Sequence, residues 1–588
     1  MIKSFDISRR TFIASTSAAI IVGGCDDTTS STNNDGGIDV IEDIEDYVDT
    51  QQDIEDITDI EDTSDIVDDG DVVVIDERPP TTVSETLVGV LAETAQFEDG
   101  RPLFGKTKKG PGEDYISRDD LGGASVSNGT VATASSLAYF AQLTDIHIVD
   151  EESPARAIHS PFSAESAWRP QESYSMHMLD SALKTINNFA DYRKHDFVLF
   201  SGDLTDNHLN IELSSFLGVV EGSTVDPDTG NDDDPRLPGL NDPHDPFEAI
   251  GLRNDIPWYA CLGNHDYWAL GSVMTSLIAD PTSSSATLWL SDSVTPVCFD
   301  EPPCIGGYCY SAEPDRCHVP VDDDYFSESS LVSDPQRAYL GMNEFMAKII
   351  ASDMHEPPGH GFSQSNIDQG VGYWVSENVV DGLGVAMVAL DSTSDCSNTT
   401  DKSIGEISQE QLNWLDDRLT FLESQNKIII VTSHHPSGDI PNGGNELKSI
   451  LMSHPNVVLH VVGHGHMNSV YSHPDSNDEP WNGYWEVQSP STLDWPQQLR
   501  FFEIVDNGDA TGSIYATVVD FMIEPGDISE AGRFYALLDV HEGRSADFRR
   551  GNPEDRNVIL KFAWPPALLE TLSLLPKRPV ESENFRNK

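Results

Sequence analysis

Five apolar runs of strand length each end in ligand-type side chains, and that repetition constrains the fold more than any other feature of this chain. YFAQLTDIHI carries Asp145 and His147, and DFVLFSGDLTDN carries Asp203 and Asp206. IPWYACLGNHD closes on Gly263, Asn264, His265 and Asp266, KIIIVTSHHPSG on His434 and His435, and LHVVGHGHMN on His464 and His466. Residues i and i+2 of an extended chain point the same way, so Asp145 with His147, and His464 with His466, can reach one ion or two adjacent ions. Open α/β sheets gather their sites at the carboxyl edge of their strands. A single such run reads equally well as polar loop chemistry. Five in one chain, with glycines where the backbone must turn, point to a common site.

The residue types narrow the chemistry. Carboxylate and imidazole without cysteine suit Mn, Fe or Zn and leave the identity of the ions open. Two ions roughly 3.5–4 Å apart can share a hydroxide nucleophile and clamp the phosphoryl oxygens of an in-line displacement.

The ordered blocks Asp145-Ile-His147, Gly202-Asp203-Leu-Thr-Asp206, Gly263-Asn264-His265-Asp266, His434-His435-Pro436 and Gly463-His464-Gly-His466 resemble the calcineurin-like metallophosphoesterase family, over about residues 137–506. The resemblance implies Asp145, His147, Asp203 and His466 on one metal ion and Asp203, Asn264, His434 and His464 on the second, with Asp203 bridging. His434 is preferred to His435 because the family's ligand stands two residues before the proline. His265 is implied to assist the leaving group rather than to bind metal. Asp206 and Asp266 are candidate carboxylates for orienting an imidazole, and loop hydrogen bonding is their other reading. Asp206 stands where purple acid phosphatases carry tyrosine, and His147 where they lack histidine, so the likeness is to the non-purple branch. The fold implied is a four-layer αββα sandwich of two mixed sheets, and the alternation of strands and helices agrees with it.

The amino end, ISRRTFIASTSAAIIVGGC, joins the pair Arg9-Arg10 to an apolar run too short for a membrane span of ~20 residues. It resembles a twin-arginine export signal, residues 1–24, with a lipoprotein processing site at Cys25. The expectation is an exported protein anchored through a lipidated Cys25 on the periplasmic or cell-surface side. Residues 26–77 hold 21 acidic and no basic residues. Isolated Ile and Val among so many like charges bury too little surface to offset chain entropy, so 25–78 reads as a tether. A calcium site would need a glycine-bearing EF-hand loop, which is missing.

Beyond the tether, residues 78–588 still carry 78 acidic against 31 basic residues, a net charge of −47. That field opposes nucleic acid and anionic lipid, and leaves a small phosphate ester as the expected substrate. The catalytic region is placed at 137–520, between an arm at 79–136 and a C-terminal extension at 521–588. Two insertions are expected, at about 220–246 and 269–370. Cys298, Cys304, Cys309 and Cys317 in the longer insertion read as two disulfides, a structural zinc being the rival. Cys261 reads as a buried small hydrophobe, with Cys396 free or paired to it. His355 and His360 could reach the site from the insertion; Asp494 and Gln497 could line it, or serve only in a strand-end turn. Helical spacing marks Ser173–Phe189 as a layer helix and ISEAGRFYALLDVHE as a second, later helix.

Two functions of different class follow. One is metal-dependent hydrolysis of phosphate mono- or diesters; the other is a catalytically silent, tethered binding or scaffold protein on the same fold.

Overall fold

The computed structural model describes residues 78–586 except 90–96, 99–100, 103–106, 128, 130–132, 151–152, 154–168, 228–242, 273–333, 394–402, 476–478 and 542–546. The expected export signal, the expected tether up to residue 77, the four clustered cysteines and Cys396 lie outside the described residues.

Thirteen strands build two sheets. In chain order they are β1 (Ile116–Arg118), β2 (Ser135–Leu143), β3 (Phe197–Ser201), β4 (Trp258–Cys261), β5 (Trp374–Val380), β6 (Val385–Ala389), β7 (Ile428–Thr432), β8 (Val457–Val462), β9 (Ser469–Pro474), β10 (Gly483–Gln488), β11 (Gln498–Asp506), β12 (Thr511–Asp520) and β13 (Val558–Ala563). The first sheet has the order β4-β3-β2-β11-β12-β13-β1, the second β5-β6-β7-β8-β10-β9. Strands β4, β3 and β2 are parallel, as are β6, β7, β8 and β10. All five motif strands therefore point their carboxyl ends at one edge of their sheet.

Alternation sorts the side chains of the second sheet. Val385, Met387 and Ala389 of β6 join the core between the sheets, while Ala386 and Val388 face the outer layer. That layer is α5 (Gln409–Ser424) and α6 (Gly444–Ser453), whose Leu412, Leu415, Leu419, Leu447 and Leu451 pack on β6 and β7. On the first sheet lie α1 (Ser175–Ala190) and α2 (Asn210–Glu221), followed along the chain by α3 (Met342–Ala351) and α4 (Gln364–Gln369). A later helix, α7 (Ser529–His541), packs against α1. The fold is the four-layer α/β sandwich expected.

Phe140 stacks between Phe197 at 4.5 Å and Phe502 at 5.1 Å, so the centre of the first sheet is aromatic. Truncating it to alanine should cost about 3–5 kcal/mol. One buried amide joins the two sheets beneath the strand ends. Gln142 donates to Ser201 Oγ at 2.7 Å and to the Val462 carbonyl at 2.9 Å, and it accepts from Ser489 Oγ at 2.6 Å.

Residues 116–118 and 558–563 are built into the first sheet. Strand β13 pairs with β12 on one side and with β1, from the amino-terminal arm, on the other. The run VILKFA is apolar apart from the half-buried Lys561, as suits a strand covered on both sides. Further on, Arg578 grips Asp196 with two bonds of 2.7 and 2.9 Å, and the buried Glu503 accepts the N–H groups of Glu581 and Ser582. In the longer insertion, α3 and α4 are ordinary packing elements. His355 donates to the Leu252 carbonyl, and His360 stacks on Trp258 at 3.4 Å with its two nitrogens 3.3 Å from the main-chain carbonyls of Trp258 and Ser352. Neither histidine reaches the strand-end site: His355 is spent on the Leu252 loop before β4 and His360 on Trp258 of β4. Among the described residues no helix is long and apolar enough to cross a membrane.

Candidate metal centre

Five of the seven expected ligands have left-handed backbone: Asp145 (φ 50°), His147 (φ 49°), Asp203 (φ 52°), His464 (φ 71°) and His466 (φ 52°). Non-glycine residues held this way cost free energy, and such strain collects at functional sites. The turns are locked by main-chain bonds between motifs: Ile146 and His147 both donate to the Asp203 carbonyl, at 2.8 and 3.0 Å. Close approach explains the motif glycines. A Cβ on Gly263 would lie 2.1 Å from Asp203 Oδ1, and one on Gly463 would lie 2.0 Å from Thr144 Oγ1.

The expected residues come together from both sheets. One group brings a donor atom from each of Asp145, His147 and His466 to within 4.8 Å of one another; a second does so for Asp145, Asp203 and His434; a third unites His147, Asp203 and His265. Asp203 Oδ2 is 3.1 Å from His434 Nε2 and 3.9 Å from His147 Nε2. Asp145 Oδ1 is 3.0 Å from His466 Nε2 and 3.7 Å from His434 Nε2. His464 Nδ1 lies 3.2 Å from Asn264 Oδ1, whose amide is oriented by donation to the Gly271 carbonyl at 3.0 Å.

The outward nitrogen of each imidazole faces an acceptor. His434 Nδ1 donates to the Ser201 carbonyl at 2.9 Å, and His466 Nδ1 to Asp494 Oδ2 at 2.7 Å. His147 Nδ1 faces Asp206 Oδ1 at 3.0 Å. Burial opposes charge on His434 and His466, but the Asp203 and Asp145 carboxylates raise His434 to about 9 and Asp145 raises His466 as well; a bound cation would take the place of those protons at Nε2. The Nε2 atoms of His147 and His466 are only 3.1 Å apart, and His434 Nε2 is buried with no hydrogen-bond partner. Imidazole nitrogens converging in this way on buried carboxylates fit cations. His435 does not compete: its Nδ1 pairs with Ser392 Oγ at 2.8 Å and its Nε2 with the Ser403 carbonyl at 3.1 Å.

Electrostatics follow from burial and charge. Burial works to raise Asp145, but His466 and His434 outweigh it and hold the carboxyl well below its usual range. Asp203 is depressed in the same way, against burial, by His434 and His265. Burial pushes His147 down to about 4, helped by Arg169, and the neutral ring is a ligand form. His265 is pushed up to about 9: burial opposes its charge, and the carboxylates of Asp203 and Asp206 overcome it. Cations on Asp203 would offset much of that field.

The supporting residues differ in part from expectation. Asp206 braces two imidazoles, since its Oδ1 is also 3.3 Å from His265 Nδ1. Asp266 orients none of them. It accepts the N–H groups of Gly263 (2.9 Å) and Thr205 (3.0 Å), so it ties the GNHD loop to the GDLT loop, and burial first, then Asp203, raises its carboxyl to about 7. Asp494 carries more than turn chemistry, because it is the carboxylate behind His466. Arg549 donates to it at 2.7 Å and Gln171 at 2.9 Å. The signal for Asp494 was its place past the carboxyl end of β10. Arg169, Gln171 and Arg549 had no motif to reveal them. Gln497 stays in the turn, with φ 55° and its amide on the Leu493 carbonyl.

The family model of calcineurin-like phosphoesterases matches residues 138–468, from β2 through the GHGH loop. The chain belongs to the calcineurin-like phosphoesterases. This calcineurin-like phosphoesterase is also similar to a solved dimetal phosphatase from Danio rerio at 12% identity, with 66% of this chain and 100% of that chain covered and a TM-score of 0.32. No curated protein matches it. Membership in the family implies a dinuclear metal site, and the clustered donors are candidates to form it.

Proposed function

We propose that this calcineurin-like phosphoesterase hydrolyses small phosphate mono- or diesters outside the cytoplasm, held to a membrane through a lipidated Cys25 by the acidic segment 25–78. The observation that carries the hydrolytic reading is the convergence of the His147 and His466 Nε2 atoms, 3.1 Å apart, with a carboxylate behind each ring.

Asp145, His147, Asp203 and His466 would hold one ion, and Asp203, Asn264, His434 and His464 the other. Bound there, Mn, Fe or Zn would supply Lewis acidity toward the phosphoryl oxygens and acidify the water that attacks phosphorus. The protein's own part is orientation. Asp203 and Asp145 bring negative charge to the centre, and the Asp206 and Asp494 carboxylates keep two imidazoles turned inward. His265, with Nδ1 held by the Asp206 carbonyl at 2.8 Å, keeps Nε2 for a proton delivered to the departing oxygen. The net charge of −47 over residues 78–588 supports a small ester over a polyanion.

The test is turnover of a chromogenic phosphomonoester and a phosphodiester by the metal-loaded full-length protein, with metal content determined on the same sample. Turnover with about two ions per chain supports the reading. Two bound ions with no turnover across a broad ester panel would favour the catalytically silent scaffold instead.

A further inference from the structure

We infer that Arg169 is a positioning residue for one half of the metal centre, bracing Asp206 and Asp494 with a single guanidinium; the inference rests on the metal-dependent reading above. Arg169 stands just before α1, outside every motif, and is only 2% exposed. Its Nη1 is 3.2 Å from Asp206 Oδ1, and its Nε is 3.1 Å from Asp494 Oδ1. Those two carboxylates come from distant parts of the chain, one after β3 and one after β10.

What the carboxylates touch next gives the bracing its consequence. Asp206 Oδ1 lies 3.0 Å from His147 Nδ1 and 3.3 Å from His265 Nδ1, while Asp494 Oδ2 lies 2.7 Å from His466 Nδ1. One guanidinium therefore lies between the two anions that aim His147 and His466 at each other, hydrogen-bonded to Asp206 and ion-paired to Asp494, which Arg549 also holds at 2.7 Å. A guanidinium suits this because its charge is spread over a rigid plane that reaches both carboxylates at once; an ammonium is a point charge on a flexible stem. The brace is itself held: the Arg169 main-chain N–H donates to Glu172 Oε1 at 2.8 Å, and Gln171 shares Asp494 Oδ1 with the guanidinium.

The other half of the centre is supported differently. His434 leans on the Ser201 carbonyl and Asn264 on the Gly271 carbonyl. Loss of Arg169 should therefore be felt unequally by the two ions, which general loosening of the fold would not produce.

The experiment measures Zn(II) stoichiometry and affinity on full-length wild type, Arg169→Met and Arg169→Lys over graded free metal, with circular dichroism and thermal unfolding as controls. Both variants should keep one ion at wild-type affinity and bind the other about 10–100-fold more weakly. Arg169→Lys retains the charge, so it carries the test if Arg169→Met fails to fold. Two ions held at wild-type affinity in the folded variants would overturn the inference, as would equal weakening of both. Wild type that binds no ion would instead overturn the metal-dependent reading beneath it.

Discussion

His265 Nδ1 donates to the main-chain carbonyl of Asp206 at 2.8 Å, so the proton this ring can offer a substrate sits on Nε2. Replacing the ring should affect proton delivery without emptying the centre. We expect His265→Asn to keep about two ions per chain and to lose roughly 10²–10⁴ in kcat on an alkyl phosphate. A p-nitrophenyl ester, whose leaving group scarcely needs a proton, should lose much less. Equal losses on both esters, or loss of metal, would contradict the role given to His265.

Gly271 packs directly on that ring. A Cβ there would lie 2.2 Å from His265 Cδ2 and Nε2 and 2.5 Å from Asn264 Nδ2, and the backbone is left-handed at φ 64°. Gly271→Ala should therefore displace both His265 and Asn264 and cost stability as well, by about 1–3 kcal/mol. The check is kcat beside the thermal midpoint: kcat should fall at least tenfold while the protein stays folded at 25 °C. Unchanged kcat would show that Gly271 does not set the ring's position.

The motif blocks were legible because each ligand follows a buried strand and needs a fixed spacing, as Asp145 and His147 do. Gly202 and Gly463 were legible as turns, although only the structure shows which side chains crowd them. Arg169 and Asp494 are 325 positions apart and meet only after folding, so no local spacing announces their contact. The same holds for β13: VILKFA looks like a strand, but its neighbours β12 and β1 lie far away in the chain. His355 and His360 misled because a Pro/Gly-rich stretch containing histidine resembles a site loop, whereas the Leu252 carbonyl engages His355 and Trp258 engages His360.

A pH effect on stability is expected away from the centre. His454, at the end of α6, lies 2.9 Å from Glu423 and 3.1 Å from Asp416, both on α5. Burial opposes its charge, but the two carboxylates prevail and raise its pKa above 6.5. A raised folded-state pKa gives stability that is fully present below the unfolded value and is lost as pH rises through the folded value. Solvent screening limits it to about 0.2–1 kcal/mol. In urea unfolding, His454→Gln should be less stable than wild type at pH 5.5, and the gap should narrow by pH 9. A gap that widens with pH would refute the pairing as described.

Asp203 holds the centre together: its Oδ2 is 3.1 Å from His434, its Oδ1 accepts the His265 main-chain N–H at 2.8 Å, and its carbonyl accepts from Ile146 and His147. The most direct measurement is metal content and phosphoester turnover of folded Asp203→Ala beside wild type. The account predicts about two ions and turnover for wild type, with both lost together in the variant. A folded Asp203→Ala that still turns over at the wild-type rate would contradict it.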